Sequence, residues 1–322
     1  MVAPTFEEAT AIETVDAHTY TANLRDEWSI GSVPHGGYVT SLFMLVATRH
    51  FNTTLAKQKQ PHTITLHVEF LRRTQVGPGT FTVRDVKLGR QTSTIQVTLV
   101  QDGRDEVTAF LTNSNIHTES GLTAQTNWRM EPAPAPVDLS KLREGTDAQW
   151  QLMKQLPFAN FRKATQRIKF HFPKAGPPHR SIGDEWITFQ SGEKFTNESL
   201  GMVSDTWPQL IENYREISPY DIQGKPMDQA TNGPPIIPSG ATYWFPTLLL
   251  NLDVKKALPP GGVEWLFVRV RAKQILNGRL DLEIIILDDV GDIVALSHHV
   301  CFVLDASRNL AARNQGSGAS KI

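Results

Sequence analysis

The 322-residue chain has 40% hydrophobic and 20% charged residues and a formal net charge of −1, the composition of a soluble globular protein long enough for two ordinary domains. Such a balance offers no basic field for nucleic acid or an anionic lipid surface, which excludes both as expected partners. The single cysteine, Cys301, excludes an internal disulfide framework and a Cys-rich zinc site, and it fits a reducing compartment.

Met1 to Ile12 mixes Glu7 and Glu8 with isolated apolar residues and lacks the basic-then-apolar order of a secretory leader. No apolar run is long enough to span a bilayer. A cytoplasmic protein is expected. Ser320-Lys321-Ile322 departs from the peroxisomal Ser-Lys-Leu address only in its last aliphatic residue, which makes the peroxisome the second expectation. The glycosylation-type sequons at Asn52 and Asn197 are then chance matches.

In chain order, alternation over Tyr20 to Leu24 predicts a strand. Trp28 to Tyr38 follows, whose glycines allow backbone to approach a ligand closely. From about Tyr38 to His50 the chain is apolar or small almost all round, predicting a helix wrapped by other structure. Strands are predicted over Thr63 to Leu71, Thr80 to Leu88, Thr92 to Val100 and Glu106 to Asn113, with turns at Val76-Gly77-Pro78-Gly79 and Asp102-Gly103-Arg104. Met130 to Pro136 reads as a stiff extended linker.

After short strand signals at Ile168 to Phe172 and Trp186 to Phe189, the same order recurs. A helix capped by Thr196 or Asn197 has the apolar stripe Leu200, Val203, Trp207, Leu210, Ile211 and Tyr214, with a break at Pro208. A Pro- and Gly-rich loop over Ser218 to Thr242 is long for a compact domain and reads as functional or disordered. Strands then cover Trp244 to Val254, Val263 to Lys273, Leu280 to Leu287 and Ile293 to Leu304. Helix, long strand, basic pair, glycine turn and two more strands occur twice, with Arg72-Arg73 set against Lys255-Lys256 and Gly89-Arg90 against Gly278-Arg279. The fold class is α+β by internal duplication, divided as a first domain 1–125, a connecting segment 126–180, a second domain 181–308 and a flexible tail 309–322.

A duplicated fold with one active site should differ between copies at the site. Aligning the helices from Ser41 and Ser199 puts Ala47 opposite Asp205, and matching the strands that follow puts Ile64 opposite Thr247, Val68 opposite Asn251, and a position near Leu111 opposite His299. Thr247 and Asn251, four apart on one strand, are expected on the same face. Gly36-Gly37 opens the first helix, and its unpaired N–H groups and positive dipole end suit a developing oxyanion. His298 and His299, adjacent on a strand, point to opposite faces and make a poor metal chelate. No Gly-x-Ser-x-Gly elbow, His-Glu-x-x-His, Walker loop or dinucleotide fingerprint is present.

Pro34-His35-Gly36-Gly37-Tyr38, Leu200 through Asp205, Asn251-Leu252-Asp253 and Val294-Ala295-Leu296-Ser297 together resemble the thioesterase-like proteins with a double hot-dog fold related to acyl-CoA thioesterase II. The resemblance covers roughly Thr14 to Asp305. It implies two helix-wrapped antiparallel sheets joined side by side, a homodimer, an acyl-CoA or related thioester substrate, and neither cofactor nor metal. It also implies a water held by an Asp on the second helix, a Thr on the following strand and a Gln on the last strand. By motif, Asp205 takes the Asp place, Asn251 before Leu252-Asp253 takes the Thr place with Thr247 one same-face step away, and His299 takes the Gln place. His35, Gly36, Gly37, Tyr38, Trp244 and Thr247 are the expected substrate-binding residues. The departures at Asn251 and His299 leave open a lyase, cyclase or isomerase of fungal-type secondary metabolism, or a non-catalytic acyl-binding protein.

Overall fold

The computed structural model describes residues 3–153, 156, 158–215, 237 and 242–311. Nearly all of the predicted 218–242 loop and the Ser320-Lys321-Ile322 terminus lie outside these residues. Among the described residues, no helix is long and apolar enough to cross a membrane.

The first half supplies β1 (Ile12–Thr14), β2 (Thr19–Leu24), helix α1 (Gly36–Asn52), β3 (His62–Phe70), β4 (Gly77–Lys87), β5 (Ser93–Gln101) and β6 (Arg104–Ser114). α1 begins where His35 caps it, its Nδ1 accepting from the Gly37 amide at 3.1 Å, and it ends with Arg49 and His50 in the last turn, which suits the negative end of the helix dipole. The helix is buried nearly throughout, as its all-round apolar sequence requires.

The second half follows with β7 (Trp150–Leu152), β8 (Ile168–Pro173), β9 (Ile182–Phe189), helix α2 (Leu200–Val203), β10 (Thr247–Val254), β11 (Leu266–Arg271), β12 (Arg279–Leu287) and β13 (Ile293–Phe302). The strands form one antiparallel sheet in the order β1-β2-β4-β5-β6-β3-β10-β13-β12-β11-β9-β8-β7. Each half therefore runs opening strand, third, fourth, fifth, then second, and the two second strands, β3 and β10, meet at the seam. One hydrophobic core lies between the helices and the inner sheet face, holding Phe43, Val68, Leu111, Leu200, Leu250 and Ile284.

The seam fixes how the halves correspond. His67 on β3 pairs with Asn251 on β10, flanked by Leu66 with Leu252 and Val68 with Leu250. A pseudo-dyad through the central pair exchanges His67 with Asn251, Leu66 with Leu250 and Val68 with Leu252. Two backbone details agree. The Leu71 and Arg72 amides both donate to the Glu106 carbonyl, and the Lys255 and Lys256 amides both donate to that of Val294. The sequence alignment of the copies is thus one residue out along these strands. Thr63, not Ile64, is the counterpart of Thr247.

Three further expectations differ from the structure. The second helix is one turn long, because after Val203 the chain turns and Pro208 opens a separate 3-10 stretch, Pro208–Tyr214. The 126–180 segment is no mere linker. It contributes β7 and β8, and Met130, Leu142 and Trp150 cover the outer face of the second half against Trp186, Trp265 and Phe267. Buried Arg269 ties it down, pairing with Asp184 at 2.6 Å and donating to the Pro132 carbonyl. Finally, the tail does not begin at Asn309, which is fully buried, accepts from the Ser32 amide and donates to the Ile30 carbonyl.

Candidate active site

The site is built where α2 meets the start of α1. The two helices touch backbone to backbone. A Cβ on Gly201 would lie 2.6 Å from the Ser41 nitrogen, and one on Gly37 would lie 2.8 Å from both the Gly201 carbonyl and the Asp205 Cβ. The Met202 amide donates to Ser41 Oγ at 2.9 Å. This contact carries Asp205, one turn past Gly201, onto the N-terminus of α1. There Asp205 Oδ2 accepts from the Gly37 amide at 2.8 Å.

The opposite oxygen, Oδ1, accepts from Thr247 Oγ1 at 3.2 Å. Thr247 reaches it because β10 is bulged. Thr247 pairs with Cys301 and Leu249 with Val300, so Leu248 is an extra residue that shifts the side-chain phase. Past the bulge Leu250 and Leu252 face the core while Asn251 faces out. Its Oδ1 pairs with His67 Nδ1 at 2.7 Å, and His67 Nε2 with Glu69. The expectation that Thr247 and Asn251 share a face is therefore corrected: the side chain beside Asp205 is Thr247, and the Asn251 amide lies on the outer surface.

His298 is exposed and His299 is fully buried. His299 Nδ1 lies 3.5 Å from Asp205 Oδ1. Its Nε2 lies 3.0 Å from Ser297 Oγ, and Ser297 donates its own proton to the Asn251 carbonyl at 2.6 Å. The serine hydroxyl bridges the imidazole to the Asn251 carbonyl, which orients the ring with Nδ1 toward Asp205. Asn251 thus enters the site through its backbone carbonyl alone.

Burial alone pushes the Asp205 carboxyl up. Hydrogen bonding from His299 and the Gly37 amide outweighs it and holds the group below its ordinary value. Burial drives His35 the other way, lowering its pKa against the pull of Asp205. A neutral His35 agrees with its geometry, since Nδ1 accepts from Gly37 and stands 3.7 Å from Asp205 Oδ2. Asp205, 4% exposed, accepts from two neutral donors, the Gly37 amide and the Thr247 hydroxyl.

A cavity of about 230 Å³ opens onto this shell, with Asp205, His35, Gly36 and Thr247 on its inner wall. Phe70, Trp244, Phe245, Pro246 and Leu248 make apolar walls, and Arg72 and Arg73 add positive charge, while Arg162 is held in a buried ion pair with Glu212. Of the residues singled out in the sequence, His35, Gly36, Trp244, Thr247 and Asp205 line this space. Gly37 touches Asp205 from behind, and its N–H is already committed to Asp205 and His35, so it is not a spare oxyanion donor. His299 also stands behind Asp205. Tyr38 is corrected: it is buried under Trp28 at 5.8 Å between ring centres, and its hydroxyl donates to the Ala9 carbonyl at 2.6 Å. The pseudo-dyad places a second, collapsed site at the start of α2. There Thr48 donates to Glu198 at 3.0 Å, and Thr63 with Asn197 encloses only about 20 Å³.

Sequence reasoning missed Ser297, which orients His299, and Gln209, which lines the cavity, is 4% exposed and has an Nε2 without a hydrogen-bond partner among the described residues. Ser297 lay inside a quoted motif, two residues from His299, and same-face spacing on a strand would have found it. Gln209 follows Pro208, and the 3-10 turn that aims it has no signature of its own.

A helix wrapped against an antiparallel sheet, with an acid held at the helix N-terminus, defines a protein of the hot-dog class. A hot-dog protein of unknown function from Alicyclobacillus acidocaldarius superposes with a TM-score of 0.68 at 15% identity, over 94% of this chain and 98% of that one. A proposed thioesterase II from Thermobifida fusca superposes at 0.67 and 20% identity, again over 94% and 98%. The chain belongs to the acyl-CoA thioesterase family: its N-terminal domain family matches residues 24–114 and its C-terminal domain family residues 131–303. Thioesterase-like protein TwmA of Talaromyces wortmannii is 36% identical over 340 aligned residues, 98% of this chain and 96% of that protein.

Proposed function

We propose that this protein hydrolyses an acyl-CoA or a related acyl thioester, with Asp205 activating the water, on a double hot-dog scaffold whose units span 1–125 and 181–308. The observation that carries the reading is the Asp205 carboxylate, clamped by Gly37 and Thr247 and facing an apolar cavity with arginines around it. An acyl chain fits the apolar walls, and the arginines complement the phosphates of a CoA carrier.

In this reading Asp205 accepts a proton from water while the water oxygen bonds to the thioester carbonyl carbon. The Gly36 N–H at the start of α1 faces the developing oxyanion, and Gln209 Nε2 is a further donor at the wall. As the C–S bond breaks, the proton returns to sulfur, giving a carboxylic acid and a free thiol. Thr247 and His299 hold the carboxylate in position. No cofactor enters. A homodimer through the sheet edges and a cytoplasmic location belong to the same proposal.

A second reading keeps the site and changes the reaction to a lyase, cyclase or isomerase step. It is favoured by the imidazole of His299 beside Asp205, where the family pattern has a Gln. Thiol release from short, medium, long and aromatic acyl-CoAs, by wild type and Asp205→Ala, separates the two. Release by the wild type and its loss in the variant supports hydrolysis; no release from any member of the panel sinks it.

A further inference from the structure

At the opposite end of α1, three side chains converge that the thioesterase reading does not use. His18 precedes β2, His50 is in the last turn of α1, and Asp85 is on β4 beside a bulge. His50 Nε2 lies 2.9 Å from Asp85 Oδ1, and His18 Nε2 lies 3.4 Å from Asp85 Oδ2. One carboxylate therefore faces two imidazole nitrogens, one through each oxygen, and the three donor atoms all lie within 4.8 Å of one another.

We propose that His18, His50 and Asp85 bind a divalent transition metal, Zn²⁺ by preference, as a three-ligand site with an open position. Ligands about 2.0–2.2 Å from a tetrahedral zinc stand roughly 3.4 Å apart, near the 2.9 and 3.4 Å at which the two imidazoles meet the carboxylate. His18 is half-exposed and can turn to bring its nitrogen nearer that of His50. His50 is fully buried, and its other nitrogen, Nδ1, lies 3.1 Å from Tyr20 Oη. An Nδ1–H donated to that hydroxyl frees Nε2 as a metal ligand, the outer-shell arrangement that metal-binding histidines show. Two imidazoles and one carboxylate favour zinc and its neighbours over magnesium or calcium.

Bound there, the ion joins the C-terminal end of the central helix to β2 and β4. It stands about 20 Å along the helix from Gly37, at 1.5 Å per residue, too far to touch substrate. Its effect is on stability, because a ligand of the folded state alone stabilises that state.

The test is calorimetric titration of metal-free protein with zinc chloride alone, with melting temperature followed in parallel. Wild type is expected to take up one Zn²⁺ per chain and melt at a higher temperature with it. His18→Ala and Asp85→Asn should bind at least about tenfold more weakly. His117→Ala, which removes a different exposed imidazole, one paired with His62 at 4.8 Å between ring centres, should bind as wild type does. His18→Ala removes a half-exposed side chain, so it reports even if Asp85→Asn does not fold. No saturable uptake by wild type, or affinity of His18→Ala within tenfold of wild type, overturns the proposal.

Discussion

Asp205 accepts a hydrogen bond from the Gly37 amide at 2.8 Å across 168 residues of chain. This contact puts a carboxylate from one half at the positive end of the other half's helix, so neither half holds the site alone. The helix end stabilises the charge, and the charge satisfies a helix N–H that no backbone carbonyl can reach.

Thr247 and Asn251 lie four residues apart and should differ sharply on substitution. Thr247→Val removes a hydrogen bond to a charged, buried carboxylate, worth about 1.5–3 kcal/mol, and kcat/KM should fall roughly ten- to hundredfold. Asn251→Ala trims an outward-facing side chain and leaves the carbonyl that Ser297 uses. Thiol-release kinetics of the two variants check this, and an Asn251→Ala loss as large as that of Thr247→Val would contradict the bulge.

The crossing at Gly201 leaves no room for a methyl group. Gly201→Ala should destabilise by about 1–3 kcal/mol or more, as overpacking against fixed backbone does, and should lower activity by displacing Asp205. Urea denaturation alongside kinetics tests it. A variant with wild-type midpoint and wild-type rate would show that the two helices separate without consequence.

The pH profile follows from the depressed pKa of Asp205. The active form is the carboxylate, so activity is present above that pKa and lost as pH falls through it. The acid limb of kcat/KM should therefore lie below the ordinary aspartate value of about 4. A limb near 6.5 instead would assign the essential base to an imidazole.

Glu185 on β9 gives a stability prediction with the opposite sign. Burial raises its pKa to about 8, against a smaller pull from the Thr206 hydroxyl, which donates at 2.9 Å. A raised carboxyl contributes stability that is complete below its unfolded value of about 4.5 and declines as pH rises toward 8. Glu185→Gln is neutral at every pH. Relative to wild type it should gain stability steadily from pH 5 to pH 8, by about 3 kcal/mol near pH 7. Chemical denaturation at several pH values measures the difference, and a gap that does not vary with pH would mean Glu185 stays ionised when folded.

The buried helix and the long strands β3 to β6 and β10 to β13 were readable because each carries its own period over many residues. α1 was placed within two residues at either end, and β5 within one. Asp205 also stood out, since an acid beside residues matching an all-apolar helix is hard to hide. Asn251 misled because side-chain phase along a strand is inferred by counting, and one extra residue, Leu248, reverses the count. The same slip displaced the alignment of the halves by one position. The edge strand Trp150–Leu152 gave no signal because three residues cannot show alternation, and it forms only by pairing with β8. Tyr38 misled because its place in a motif beside two site glycines outweighed its place at the head of a helix read as buried all round.

The collapsed counterpart at the start of α2 sets a stoichiometry. A duplicated chain has two symmetry-related places for an acyl group, yet Thr48, Glu198 and Asn197 fill one of them with their own hydrogen bonds. A tight ligand should therefore saturate at one equivalent per polypeptide. The half that supplies the helix end is free of the constraints a second turnover site would impose, and its sequence can drift wherever α1 keeps its place.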